Sequence, residues 1–140
     1  MLISQTKQVL AGEAIHYPGE WMMPQGGINS GETPFQAMQR ELAEETSIEF
    51  ENTRLIREHD EWLSDLFREP LVKEGRVYSG QRQNWFLLDY HGALPDASQT
   101  LDREFLCFDW VEPRWLIENT TRFKVNLYKE IFEAFDIKIL

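Results

Sequence analysis

The chain is poor in cysteine, histidine and positive charge. A single cysteine, Cys107, in 140 residues excludes a disulfide within the chain and points to a reducing compartment, hence a cytoplasmic location. The three histidines, His16, His59 and His91, do not cluster and lack metal-ligand spacing, so none is assigned a role. Lysine and arginine total 14 against 24 aspartates and glutamates, a formal net charge of −10. Such a field repels a nucleic-acid backbone and excludes a broad grip on duplex DNA. A polyphosphate can still bind where divalent cations invert the local field. Apolar runs are short: none approaches the ~20 residues of a membrane span, and "MLISQTKQ" lacks the apolar core of a signal peptide. No membrane partner is expected. Repeats, low-complexity tracts and Pro/Gly/Ser linkers are missing too, so residues 1–140 read as one domain. Hydrophobic residues at 42% are enough to build its core.

The apolar pattern gives an alternation of elements. "LISQTKQVLAG" reads as a short hairpin turning near Thr6–Lys7, and "EWMMP" as a strand stopped by Pro24. Thr33 to Thr46 is helical, with Pro34 in its first turn. "NTRLIREH", the long apolar "VYSGQRQNWFLLDY" and "REFLCFDWVE" read as strands, and "LVKEGRVYSGQ" as a basic loop. Pro113 opens a short helix through Glu118. A longer one spans Arg122 to Phe135, with Leu127, Ile131, Phe132 and Phe135 forming an apolar stripe. Strands, a helix, more strands and two helices predict an α/β fold, a mixed sheet sandwiched by helices.

The stretch "PQGGINSGETPFQAMQRELAEETSI", Pro24 to Ile48, is the most informative. At a spacing of i, i+3 and i+4, Glu41, Glu44 and Glu45 project from one helical face while Phe35, Met38 and Leu42 form an adjacent apolar stripe. Like charges so placed repel. Arg40 lies on a different flank, is expected to point away from the acidic face, and can tie Glu32 of the loop to the helix. A bound cation would offset the repulsion. Gly26, Gly27 and Gly31 let backbone carbonyls approach such a cation, and an all-oxygen shell suits Mg²⁺ or Mn²⁺ over Zn²⁺.

Gly26, Glu32, Arg40, Glu41, Leu42, Glu44, Glu45 and Ile48 fit the Nudix box, G-x5-E-x7-R-E-U-x-E-E-x-G-U with U aliphatic, failing only where Ser47 replaces glycine. The chain resembles the Nudix hydrolase family. The resemblance implies an α/β/α sandwich and hydrolysis of a nucleoside diphosphate linked to another group. It makes Glu41, Glu44 and Glu45 metal ligands, with a carbonyl of Gly26 or Gly27 beside them. "PQGGIN", "GQRQNWFLL", "REFLCFDWV" and the "FK" at Phe123–Lys124 are similar to one branch, the bacterial RNA 5′-pyrophosphohydrolases and the related dinucleoside polyphosphate hydrolases. By position that branch makes Glu104 a further ligand or the general base, with Glu41 as the other candidate. It places Arg82 and Gln83 near the phosphates, and gives Phe123 and Lys124 a nucleobase to stack and contact.

Two features depart from the pattern. Serine at position 47 stands where glycine takes a left-handed cap without strain, and is expected either to cost about 1 kcal/mol or to shift the turn. The chain also begins at "MLISQ", inside what is the first strand of its relatives, so that strand is expected to be short. The expected activity is removal of phosphates from the 5′-triphosphate end of RNA. The alternatives are a dinucleoside polyphosphate hydrolase and a nucleotide-binding module that has lost turnover.

Overall fold

The computed structural model describes residues 1–140. Its strands are β1 (Leu2–Ile3), β2 (Val9–Ala14), β3 (Trp21–Met22), β4 (Arg54–Glu58), β5 (Leu63–Lys73), β6 (Arg76–Gln83), β7 (Phe86–Asp89) and β8 (Phe105–Val111). All except β5 and β6 share one mixed sheet. In it β1 runs parallel to β7, while β2 pairs antiparallel with β1, β3 and β8, and β4 with β7.

Successive strand residues face opposite ways, and the sheet uses both faces. Leu2, Leu10 and Leu88 join Phe105 and Phe108 beneath Leu42 and Ile48, at the end of helix α1 (Pro34–Thr46). Their neighbours Ile3, Val9, Ala11 and Leu87 point to the other side. There they pack on Leu116 of α2 (Pro113–Asn119) and on Leu127, Tyr128, Ile131 and Phe132 of α3 (Val125–Ala134). The result is an α/β/α sandwich. No helix is long and apolar enough to cross a membrane.

Helix α1 starts where the sequence says it should. The Thr33 hydroxyl accepts from Gln36 N–H and the Gln36 side-chain oxygen accepts from Thr33 N–H, a reciprocal cap around the start of the helix at Pro34. It ends on Ser47, held left-handed at φ 63° as glycine would be. Helix α3 begins at Val125 and not Arg122, because the Lys124 N–H closes a turn on the Thr121 carbonyl.

Two expectations are corrected. Residues 71–81, read as a loop, belong to a β5–β6 hairpin closed by Glu74 and Gly75, both at positive φ, with Lys73 opposite Arg76. Leu66, Val72 and Val77 remain about two-thirds exposed on it, so no burial alternation marked these residues as strand. The single long strand expected over Val77–Tyr90 is two. The chain leaves the hairpin at Gln83, turns at Asn84 and Trp85, and joins the main sheet as β7 at Phe86.

Candidate active site

Glu41, Glu44 and Glu45 share the face of α1 that looks across the sheet edge toward the segment before β8. That segment brings Asp102, a residue the sequence reading missed. Glu41, Glu44 and Asp102 each offer a carboxylate oxygen, and the three atoms lie within 4.8 Å of one another. Its placement has a local cause, since Asp102 N–H donates to the Glu44 carbonyl at 2.9 Å. Two residues on, Glu104 enters the same cleft. Glu41, Glu45, Asp102, Glu104, Gly26 and Gly27 line a cavity of about 300 Å³.

Glycine at position 26 is set by packing, not by its backbone angles. A Cβ there would lie 1.9 Å from the Glu41 carboxyl carbon. On the next residue of α1's acidic face, Glu45 is buried and accepts from Gln25 N–H at 2.9 Å. Burial pushes its carboxyl up to about 9, reinforced by the charges of Glu41 and Glu104. Burial also raises Glu41, against the opposing pull of Arg40.

Arg40 corrects the expectation that it faces away. Its guanidinium holds both Glu32 oxygens at 2.7 and 2.9 Å as foreseen, and also Glu41 at 2.7 Å and Glu44 at 3.0 Å. A fifth bond, 2.6 Å, reaches the Gly27 carbonyl. Arg40 therefore supplies part of the counter-charge the acidic face needs, and it occupies Gly27, leaving Gly26 as the freer carbonyl.

A second cavity of about 340 Å³ shares its wall with the first: Gln25, Gly26, Gly27, Glu41 and Glu45 line both. Arg82, Gln83, Trp62 and Met38 also line it. Gln83 is tied down, its amide donating to Gln25 at 2.7 Å and accepting from the Trp85 indole at 2.8 Å. Arg82 has no carboxylate partner within 4.0 Å and lies over the Trp62 ring, 5.6 Å from its centroid.

Phe123 and Lys124 line neither cavity. Lys124 is buried, its ammonium 2.5 Å from Asp65 and 3.1 Å from the Gln25 side chain. Phe123 sits outside it between the guanidinium groups of Arg122 and Arg68, 4.8 and 5.7 Å from its ring centroid.

The NUDIX domain family profile matches residues 1–133. The chain belongs to the Nudix family. Nudix hydrolase 26 of Arabidopsis thaliana is 35% identical over 96% of this chain, which spans 65% of that protein's length. An RNA pyrophosphohydrolase of Cereibacter sphaeroides is 37% identical over 96% of this chain and 86% of its own. The dihydroneopterin triphosphate pyrophosphohydrolase of E. coli superposes with a TM-score of 0.71, covering 94% of this chain and 89% of the other, at 24% identity. An Ap4A hydrolase from C. elegans gives 0.64 at 21% identity, covering 96% and 93%. These solved structures establish a shared Nudix fold. The donor set in the Nudix helix and its facing loop is all oxygen, with more negative charge than Arg40 balances, and it fits a hard divalent cation.

Proposed function

We propose that this Nudix enzyme removes pyrophosphate, or successive phosphates, from the 5′-triphosphate end of RNA and leaves a 5′-monophosphate. The observation that carries the reading is the carboxylate-walled cleft against a glycine-rich strip, in a chain 37–39% identical to proteins named RNA pyrophosphohydrolase. The net charge of −10 supports recognition of a terminus, since a long backbone would be repelled. The single, free Cys107 supports a cytoplasmic setting.

Glu41, Glu44, Glu45, Asp102 and Glu104 would hold Mg²⁺ or Mn²⁺, with the Gly26 carbonyl beside them. The cation supplies charge neutralisation for the phosphoryl oxygens, a more acidic water and alignment of the phosphates. Glu41 or Glu104 takes the proton from the attacking water. Arg82, without a carboxylate partner, is available to the phosphates at the shared wall. Gln83 holds Gln25 in place, and Gln25 N–H in turn orients Glu45.

The test measures products from triphosphorylated RNA and from diadenosine tetraphosphate, with Glu44→Gln as control. Monophosphorylated RNA from the wild type, and a rate about 100-fold lower or worse in the variant, is the expected result. Preferential release of ATP and AMP from the tetraphosphate would assign the other substrate. Equal background from both proteins would leave a binding module.

A further inference from the structure

The second cavity has the chemistry of a nucleobase site, and nothing in the carboxylate cleft needs it. Its lining mixes apolar Ile28 and Met38 with the flat indole of Trp62, and its size lies in the usual small-ligand range of about 300–1,000 Å³. Trp62 is 44% exposed, whereas the other indole of the lining, Trp85, is buried. The Arg82 guanidinium lies over its ring, and no carboxylate anchors that guanidinium. Two half-buried amides, Gln81 and Asn84, also line the cavity and make no side-chain hydrogen bond within the protein. An unpaired amide offers a donor and an acceptor side by side, the pair that matches the edge of adenine.

Resting on the polyphosphate reading above, we infer that the base carried by the reacting phosphates occupies this cavity, stacked on Trp62 and read by Asn84 and Gln81. The stacking site is therefore beside β6, and not at Phe123 and Lys124. A base on Trp62 takes the face that Arg82 covers and frees Arg82 for the phosphates across the shared wall. Purines, with more stacking area, bind better than pyrimidines.

The experiment is calorimetric binding, which needs no turnover. Probes are a non-hydrolysable adenosine triphosphate analogue, a triphosphorylated dinucleotide with the same blocked linkage, and inorganic tripolyphosphate, each with Mg²⁺. Trp62→Ala is expected to weaken both base-bearing ligands about 10-fold or more, consistent with about 1–3 kcal/mol per stacked base. Tripolyphosphate should shift less than about threefold. Trp62→Phe should recover most of the loss, because a ring is restored, and Asn84→Ala should narrow the preference for adenine over uracil. An equal loss for all three ligands in Trp62→Ala, or no loss for any, overturns the assignment. So does a loss confined to Phe123→Ala. If the wild type binds these ligands yet cleaves no triphosphorylated RNA, the base site stands and the proposed reaction falls.

Discussion

Gly26 and Glu41 fit against each other with no room for one more carbon: a Cβ on Gly26 would meet the Glu41 carboxyl carbon at 1.9 Å. The loop and the acidic helix are therefore a single unit. Gly26→Ala is expected to displace the Glu41 carboxylate while leaving both cores intact. A misplacement of that size costs about 100-fold in kcat, with a melting temperature within a few degrees of wild type. Paired rate and melting measurements check this; wild-type turnover in the alanine variant would show that Glu41 tolerates displacement.

With Glu45 in the proposed cation site, binding of the ion should depend on pH. Its carboxyl is pushed up to about 9 by burial and by neighbouring charge. A carboxylate raised in the folded state holds its proton more tightly there than in the unfolded chain. Its contribution to stability is thus full below its ordinary value of 4.5 and is lost as pH climbs through about 9. A divalent cation at the proposed site would take the ionised form and reverse that loss. The gap between melting temperatures in Mg²⁺ and in EDTA should widen from pH 6 to pH 9. A gap constant over that range contradicts the account.

Arg40 is the internal counter-ion of the acidic face, contacting Glu32, Glu41, Glu44 and the Gly27 carbonyl. Arg40→Ala should lower the melting temperature by several degrees in EDTA, and Mg²⁺ should raise it by more than it raises wild type. Equal Mg²⁺ increments in the two proteins would place the role of Arg40 elsewhere.

The Lys124–Asp65 pair is buried, with one Asp65 oxygen already lacking a partner. Lys124→Met strands the other and should cost about 3–5 kcal/mol in denaturant unfolding. Adding Asp65→Leu removes the stranded charge and should recover much of that loss. A double variant no more stable than the single one would mean that the pair is not the source of the cost.

At the end of α1, Ser47→Gly should raise stability by up to about 1 kcal/mol, because φ 63° is strained for serine and free for glycine. Its hydroxyl makes only a long 3.4 Å contact with the Gln99 carbonyl, so little is lost in exchange.

Local signals carried the readable part of the fold. Thr33 with Pro34 announces α1, the spacing of Glu41, Glu44 and Glu45 gives the acidic face, and the expected hairpin at the start of the chain is there, its apolar run Val9–Leu10–Ala11 feeding both cores. What stayed hidden was non-local or exposed. Asp102 reaches the cluster from an irregular segment with no pattern of its own, and its only cue was its position two residues before Glu104. Asp65 and Lys124 are 59 positions apart, so their pairing has no trace in either neighbourhood. The β5–β6 hairpin lacked the alternation that burial imposes, although Glu74–Gly75 was an available turn signal. The orientation of Arg40 was misjudged because helical geometry places the Cα, whereas its long side chain bends back to the charge.

The strip around Gln25 to Gly27 is a saddle between two chambers, and Gln25 is pinned from Lys124, Gln83 and Glu45 at once. On the proposed reading, a saddle so braced acts as a ruler. A bare phosphate ion would then engage one side alone, while a chain of phosphates ending in a ring would straddle it.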